Sequence, residues 1–512
     1  MEEYATVVDL VEAHASAGPD RWSVVTDDGS RTTGREQFGD DVARVAAVLA
    51  DLGVRPGARV ALSISNRYDF LLAWFATNWL GAVFVPLNIA LKPREAAYIL
   101  NDSEAVLWLI DPNVPDVVDT AERLDPAARP RRVLSIDEVV KEAASATPRA
   151  PVHTDGDRPA GLLYTSGTTG TPKGCVCPHS YYLITGRRYA ERIGLGEEDV
   201  LSTCLPLFHM NAQTLSVSAS LQFGVPLVVH ERFSATTFFS DAARHEATIF
   251  NYIGAIPAIL FAREPAPSDR AHTLRLGFGG GIPLDLHGPF EERFGVVCVE
   301  GFGMTETGAC LSVPTTGDRK IGSGACGVPY PGLAAQVVDP DTGDESAQNA
   351  VGELLVRGPG MFSGYHDGHG GVNSPFDADG WFHTGDAARR GEDGFFYFVD
   401  RIRDVIRRAG ENVSPREVEL VLCEHPAVME AAVVGVSDPL RGQRIVGFVR
   451  LTEGYDADSD LLDAIREHAR SELAYFKVPE GLEVVQDFPR TPTQRIQKHV
   501  LRGWAEAPNA SN

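Results

Sequence analysis

Cysteine is scarce, seven in 512 residues, and only Cys175 and Cys177 lie close together, as C-V-C. Structural zinc takes paired Cys-x-x-Cys or Cys/His spacings. None is present, so the expectation is reduced, mostly buried thiols without a metal. Positive charge is in deficit: 46 Lys and Arg against 70 Asp and Glu give a formal net charge of -24. Phosphate-backbone binding relies on a surplus of Lys and Arg, so no nucleic-acid partner is expected beyond what a local basic pocket could hold. The N-terminus MEEYATVVDL is acidic and lacks the basic-then-apolar order of a signal peptide, which leads to the expectation of a cytoplasmic protein. The apolar run LLAWFATNWLGAVFVPLNIAL (71–91) is interrupted by Thr77, Asn78, Gly81, Pro86 and Asn88. A buried helix followed by a buried strand fits it better than a membrane span, so no membrane partner is expected.

What is present is ordinary globular material, 44% hydrophobic and 23% charged, in a chain long enough for two or more domains. In REQFGDDVARVAAVLADLG, Phe38, Val42, Val45, Leu49 and Leu52 recur at three- and four-residue steps, and Gly53 stands where a helix would stop. GARVALSIS reads as a strand after the Pro56-Gly57 turn, and EAVLWLI and PRRVLSI are further short apolar runs separated by helical stretches. That alternation is the βαβ pattern of a parallel sheet covered by helices, whose ligands gather at the carboxyl ends of strands. From about 322 to 398 the texture changes to short strands and Gly/Pro turns, the pattern of a small β-barrel-like layer. Strand, helix, two strands, helix and strand then follow, a compact α+β unit of about a hundred residues. The expected class is therefore α/β, a large N-terminal domain (1–402) and a small α+β C-terminal domain (403–512), the latter mobile by the resemblance described below. No internal repeat is present, and the tail AEAPNASN is expected to fray.

The stretch YTSGTTGTPKG (164–174) follows an apolar strand-like run and packs glycines and hydroxyls around one lysine. Glycine lets a backbone turn sharply and point N–H groups at a ligand, Ser and Thr add donors, and Lys adds a mobile positive charge. Together these suit a polyphosphate. A Walker loop is ruled out, because it needs Gly-Lys-Ser/Thr and here Lys173 follows Pro172 and precedes Gly174. Alone, such a stretch reads equally well as a surface turn.

It is followed in order by GFGMTETG (301–308), WFHTGD (381–386), DRIRDVIRRAGENVSPREVE (400–419) and PRTPTQRIQK (489–498). This ordered set resembles the adenylate-forming superfamily of acyl-CoA synthetases, adenylation domains and luciferases, most nearly the carnitine/crotonobetaine-type and 4-coumarate-type CoA ligases. The resemblance spans nearly the whole chain. It implies an ATP-dependent, AMP-forming ligase that activates an acid as an enzyme-bound acyl adenylate, releases pyrophosphate, and transfers the acyl group to CoA, with Mg²⁺ as a further cofactor.

The resemblance also assigns residues. Thr165, Ser166, Gly167, Thr168, Thr169, Gly170 and Lys173 would hold phosphates, and Thr305 would add a hydroxyl. Glu306 matches the magnesium ligand, and one carboxylate suffices because magnesium also takes phosphate oxygens. In isolation GFGMTETG reads equally as a capped helix N-terminus. Phe302 would offer its face to adenine, and Gly280, Gly281, Glu300, Gly301, Gly303 and Arg407 belong to the same nucleotide site. Asp386 would accept from both ribose hydroxyls, and Arg401 would approach the sugar or phosphate. Gly279 and Gly280 would let a flat group lie against backbone, or simply make a tight turn. With His209, Asn211 and Met304 they would form the acid pocket, His209 gating it or orienting the carboxylate. Peptide-synthetase domains usually carry aspartate where His209 stands, which argues against an α-amino acid. Arg403 and Asp404 match a hinge, and Ala409 and Gly410 a narrow strip for a pantetheine thiol.

The chain departs from the pattern at one catalytic position. The family places a lysine in a Thr/Ser-Gly-Lys motif of the small domain, and here TQRIQ puts Arg495 in its place. Arginine keeps the charge but is planar and fork-shaped. Arg495 itself, or Lys498 three residues on, would then face the α-phosphate. Other readings are an enzyme that activates nitrite or another oxyanion for attack by an aromatic amine, and a stand-alone adenylation enzyme serving a carrier protein. A further reading is a non-catalytic ATP-binding protein. No carrier-protein segment is recognisable, so the acceptor is expected to be CoA or another external nucleophile.

Overall fold

The computed structural model describes every residue except 1–3, 17–21, 27–31, 127–129, 166–171, 341, 402–403, 405, 409–410, 439–441, 474, 476, 491–495 and 507–512. At 14–16, 32, 400–401, 407, 411–412 and 442 it describes the backbone alone. The chain divides into two compact units, one formed by 1–334 with 356–382 and the other by 335–355 with 383–512.

The first unit is α/β, with two largely parallel sheets. In one, the strands Val83–Pro86, Arg59–Ser63, Leu107–Ile110 and Arg132–Ser135 lie side by side and parallel, with Pro159–Thr165 parallel to Val83–Pro86. Three antiparallel strands, Lys173–Pro178, Gly364–His366 and Val372–Asn373, extend it beyond Pro159–Thr165. In the other, Val297–Met304, Leu276–Gly280, Ile249–Ile253, Leu201–Thr203, Leu227–Val229 and Ser23–Thr26 run parallel in that order.

The helices follow the apolar periodicity. Arg35–Asp51 buries Phe38, Val42, Val45 and Leu49, and Gly53 beyond its end has φ +97, a conformation glycine adopts without strain. Tyr68–Trp79 buries every residue, and the strand Val83–Pro86 after it is buried throughout. Its polar members are satisfied internally: Asn78 donates to the carbonyls of Ala82 and Ala160, and Thr77 to that of Ala73. Trp74 stacks on Phe84 at 4.8 Å between centroids, so the helix and strand of the apolar run pack on each other in the core. Among the described residues no helix is long and apolar enough to cross a membrane. No disulfide joins the seven cysteines, and five of them are buried.

In the second unit, Val428–Asp438 and Gly442–Leu451 form a long antiparallel pair, with Gly481–Val484 parallel to the latter and Ile406–Arg408 and Glu411–Val413 beyond it. Alternation along these strands builds two cores. Ala431, Val433, Ile445 and Val449 pack with Val418 and Leu422 of the helix Pro415–Glu424 and Ile465 and Ala469 of the helix Ser459–Glu472. Ala432, Val434, Val446 and Phe448 pack on the opposite face with Phe488 and Leu501 of the helix Lys498–Glu506.

Candidate active site

The phosphate-type stretch is framed by a β-hairpin rather than a strand leading into a helix. Leu163 pairs with Cys175, Tyr164 with Gly174 and Thr165 with Lys173, so Thr165 and Lys173 face each other at the mouth of the connection. Ser166, Gly167, Thr168, Thr169 and Gly170 lie outside the described residues. Tyr164 anchors one arm, its hydroxyl donating to Asp102 at 2.5 Å. Lys173 is exposed, and its Nζ lies over the ring of Tyr365, 5.0 Å from the centroid.

GFGMTETG forms a hairpin turn, not the start of a helix. Thr307 N–H donates to Met304 C=O at 3.1 Å, Met304 pairs with Gly308, and Gly308 takes φ +64. Thr305 and Glu306 are thus at the tip of a tight loop between the strands Val297–Met304 and Gly308–Ser312. The Thr305 carbonyl is fixed by the Tyr181 hydroxyl at 2.9 Å. Glu306 is only 7% exposed, and its Oε1 accepts from the Tyr365 hydroxyl at 3.0 Å. A buried carboxylate held by a neutral donor is a hard oxygen ligand of the kind magnesium uses, so the residues present fit the expected ion.

At Glu300 and Gly301 the strand Val297–Met304 changes partner, from parallel pairing with Leu276–Gly280 to antiparallel pairing with Gly308–Ser312. The strand thus forms a junction between the parallel and antiparallel parts of the sheet. Glu300 stands at this junction: its carboxylate accepts from the N–H groups of Gly281 at 2.9 Å and Ile282 at 3.3 Å and from the Tyr252 hydroxyl at 2.7 Å. Burial raises its pKa against these hydrogen bonds. Two of the three glycines have a packing reason and the third a conformational one. A Cβ on Gly279 would meet the Tyr252 carbonyl at 2.3 Å and on Gly280 the Gly301 carbonyl at 2.9 Å, while Gly281 takes φ +85. Gly301 and Gly303 are tight as well, against Phe278 and the Gly308 carbonyl. Phe302, between them, is half-buried.

His209 lies near the carboxyl end of the parallel strand Leu201–Thr203, beside Phe208 at 4.6 Å between ring centroids. Just after Asn211 the chain forms a π-helix, Ala212–Ser218, seven residues with every side chain buried. Runs of this kind are rare and often occur at functional sites. The amide oxygens of Asn211 and Gln213 are buried with no hydrogen-bond partner among the described residues. Met304 is half-buried at the end of its strand.

In the second unit the antiparallel strands Phe382–Arg390 and Phe396–Arg401 place Asp386 directly across from Arg401, fifteen positions apart in sequence. Asp386 is buried, and its N–H is held by Thr384, whose hydroxyl contacts the Leu354 carbonyl. Lys498 begins the final helix and pairs with Glu419 at 2.9 Å, both side chains only 16% exposed. Arg495, Arg403, Ala409 and Gly410 lie outside the described residues, as do the side chains of Arg401 and Arg407. Asp404, described, accepts from Arg502 at 3.2 Å.

Two residues absent from the sequence reading belong to these arrangements, Tyr252 and Tyr365. Neither carries a local signal, since their carboxylate partners lie 48 and 59 positions away.

The AMP-binding enzyme family profile matches residues 11–366, and the AMP-binding enzyme C-terminal domain profile matches 417–495. The chain is 32% identical over 511 residues to a sulfoacetate–CoA ligase of Cupriavidus necator, covering 98% of this chain and 99% of that one. It is also 32% identical over 486 residues to a crotonobetaine/carnitine–CoA ligase of Escherichia coli, covering 91% and 92%. Among solved structures it is similar to ATP-bound MatB from Rhodopseudomonas palustris, with TM-score 0.88 and 28% identity over 98% of this chain and 99% of the other. The o-succinylbenzoate CoA synthetase of Bacillus subtilis, in complex with its acyl-adenylate intermediate, gives TM-score 0.86 and 27% identity over the full length of both. With a buried carboxylate and a lysine gathered on one tyrosine and both profiles matched, the chain belongs to the AMP-binding enzyme family and is an AMP-forming ligase of the acid–CoA type.

Proposed function

We propose that the chain uses ATP and magnesium to convert a carboxylic acid into an acyl adenylate and passes the acyl group to CoA, with the residues above in the following roles. The observation that carries this reading is the joining of Lys173 and Glu306 through Tyr365, one cation and one buried carboxylate beside the hairpin mouth. In the first step an oxygen of the acid's carboxylate bonds to the α-phosphorus, and the bond from that phosphorus to the bridging oxygen of pyrophosphate breaks. Two anions must meet, so charge neutralisation and in-line placement dominate the barrier. Lys173 and the 165–170 stretch take the charge of the leaving group. Magnesium, held by Glu306, would add a divalent charge at the phosphate oxygens. Phe302 and the Gly279–Gly281 turn face the adenine, while Asp386 and Arg401 serve the ribose. His209 and Asn211 orient the acid, and the buried amide oxygens of Asn211 and Gln213 favour an acid that carries a hydrogen-bond donor.

Arg495 is assigned the cation of the first step, a choice supported by the pairing of Lys498 with Glu419. The small domain, 403–512, would turn about Arg403 and Asp404 for the second step, bringing Ala409 and Gly410 to the pantetheine thiol. The arginine at 495 also points to a second reading, activation of nitrite for attack by an aromatic amine.

The test is an assay of AMP and pyrophosphate release by the full chain with a panel of carboxylates, with and without CoA, and with nitrite plus aromatic amines. Arg495→Ala is expected to lower pyrophosphate exchange by about a hundred- to a thousandfold, and Lys498→Ala far less. Absence of AMP with every carboxylate would overturn the ligase reading. A collapse confined to Lys498→Ala would overturn the assignment of Arg495.

A further inference from the structure

Tyr365 occupies a short strand, Gly364–His366, that pairs antiparallel with Lys173–Pro178, Gly364 opposite Val176 and Tyr365 opposite Cys175. Side chains alternate along a strand, so Lys173 and Cys175 share a face and Tyr365 is the diagonal neighbour of Lys173. That register accounts for the Lys173 ammonium lying over the phenol ring at 5.0 Å. The same residue reaches the other way, donating its hydroxyl to Glu306 Oε1 at 3.0 Å. The grip on Glu306 is double, because Phe362 N–H donates to the Glu306 carbonyl at 3.0 Å and the Phe362 ring packs edge-on against Tyr365 at 5.0 Å.

We infer that Tyr365 is a positioning residue that aims the Glu306 carboxylate at the metal and holds the Lys173 ammonium over its ring at the phosphate site. This rests on the roles proposed above for Glu306 and Lys173. A tyrosine suits both tasks. Its hydroxyl donates to a carboxylate without adding a formal positive charge that would compete with a bound cation. Its ring face attracts an ammonium without neutralising it, as a carboxylate in that place would. One side chain thus couples the nucleotide's two charge partners, with strand register setting its place beside Lys173 and the Met304–Gly308 turn presenting Glu306 to its hydroxyl.

The two functions separate in two variants. Tyr365→Phe keeps the ring under Lys173 and removes the donor to Glu306; Tyr365→Leu removes both. Binding of a non-hydrolysable ATP analogue to the full chain is measured across a magnesium titration, with manganese occupancy read by electron paramagnetic resonance. The Phe variant is expected to need roughly tenfold or more metal for half-saturation, with metal-free nucleotide affinity within about twofold of the parent. The Leu variant is expected to show the same metal defect and, in addition, a roughly two- to fivefold loss of metal-free nucleotide affinity. Parental metal binding in the Phe variant would overturn the inference, as would equal loss of metal-free affinity in both variants or a changed circular dichroism spectrum for Phe. A parent chain with no metal-dependent nucleotide binding at all would overturn the proposed roles of Lys173 and Glu306 together with this one.

Discussion

Glu291 illustrates how a single carboxylate supports the site without touching it. It lies on the helix Leu284–Phe294 that follows the Gly279–Gly281 turn, and it accepts from the Cys298 N–H at 2.7 Å and from both terminal nitrogens of Arg319 at 2.7 and 2.6 Å. Burial disfavours its charge, but hydrogen bonds from His287, Arg319 and the Cys298 N–H outweigh that and hold its pKa at about 2, against an ordinary value of 4.5. A depressed acid contributes stability that is fully present above its unfolded pKa and lost as pH falls through the folded one. Glu291→Gln is therefore expected to cost about 1–3 kcal/mol at neutral pH, with the difference from the parent shrinking between pH 4.5 and about 2. Denaturant unfolding at pH 7, 4 and 3 checks this, and a cost independent of pH would remove the charge from the explanation. Glu300 acts in the opposite sense, since burial raises its pKa. Its value to the fold is as an acceptor that fastens the glycine turn.

At the scale of elements, the hairpin that presents Glu306 depends on Gly308. Its φ of +64 is in the left-handed region, and a Cβ there would stand 2.6 Å from the Thr185 hydroxyl. Gly308→Ala is expected to cost about 1–2 kcal/mol from conformation alone, with the contact to Thr185 added, and to weaken metal-dependent nucleotide binding by moving Glu306. Thermal unfolding and the same binding titration measure both. Unchanged binding in a destabilised variant would show the turn to be structural only. The sequence held GFGMTETG open between a ligand loop and a capped helix start. What excluded the helix was the pairing of Met304 with Gly308, a consequence of partner strands that the octapeptide alone does not specify.

At the scale of the whole molecule, a chain that binds ATP in its folded state alone gains stability by mass action. At a nucleotide concentration a hundred times Kd, with magnesium, the gain is expected to be about 2.7 kcal/mol. Thermal unfolding with ATP, with GTP and without nucleotide checks it. Equal stabilisation by GTP would count against an adenine site at Phe302. The net charge of -24 makes the local cations conspicuous, because each lysine or arginine at the phosphate site acts against an acidic background.

Composition and periodicity by themselves determined the α/β class, the buried helix and strand within 71–91 and the order of helices and strands, because each rests on interactions between residues a few positions apart. The motifs likewise marked Lys173, Glu306 and Asp386 as candidate site residues. Tertiary structure alone decided who touches whom: Tyr365 under Lys173 and against Glu306, Lys498 on Glu419, and Tyr252 against the Gly279 turn. Those contacts depend on strand register and on side chains dozens of positions apart, and no local preference of the chain encodes them.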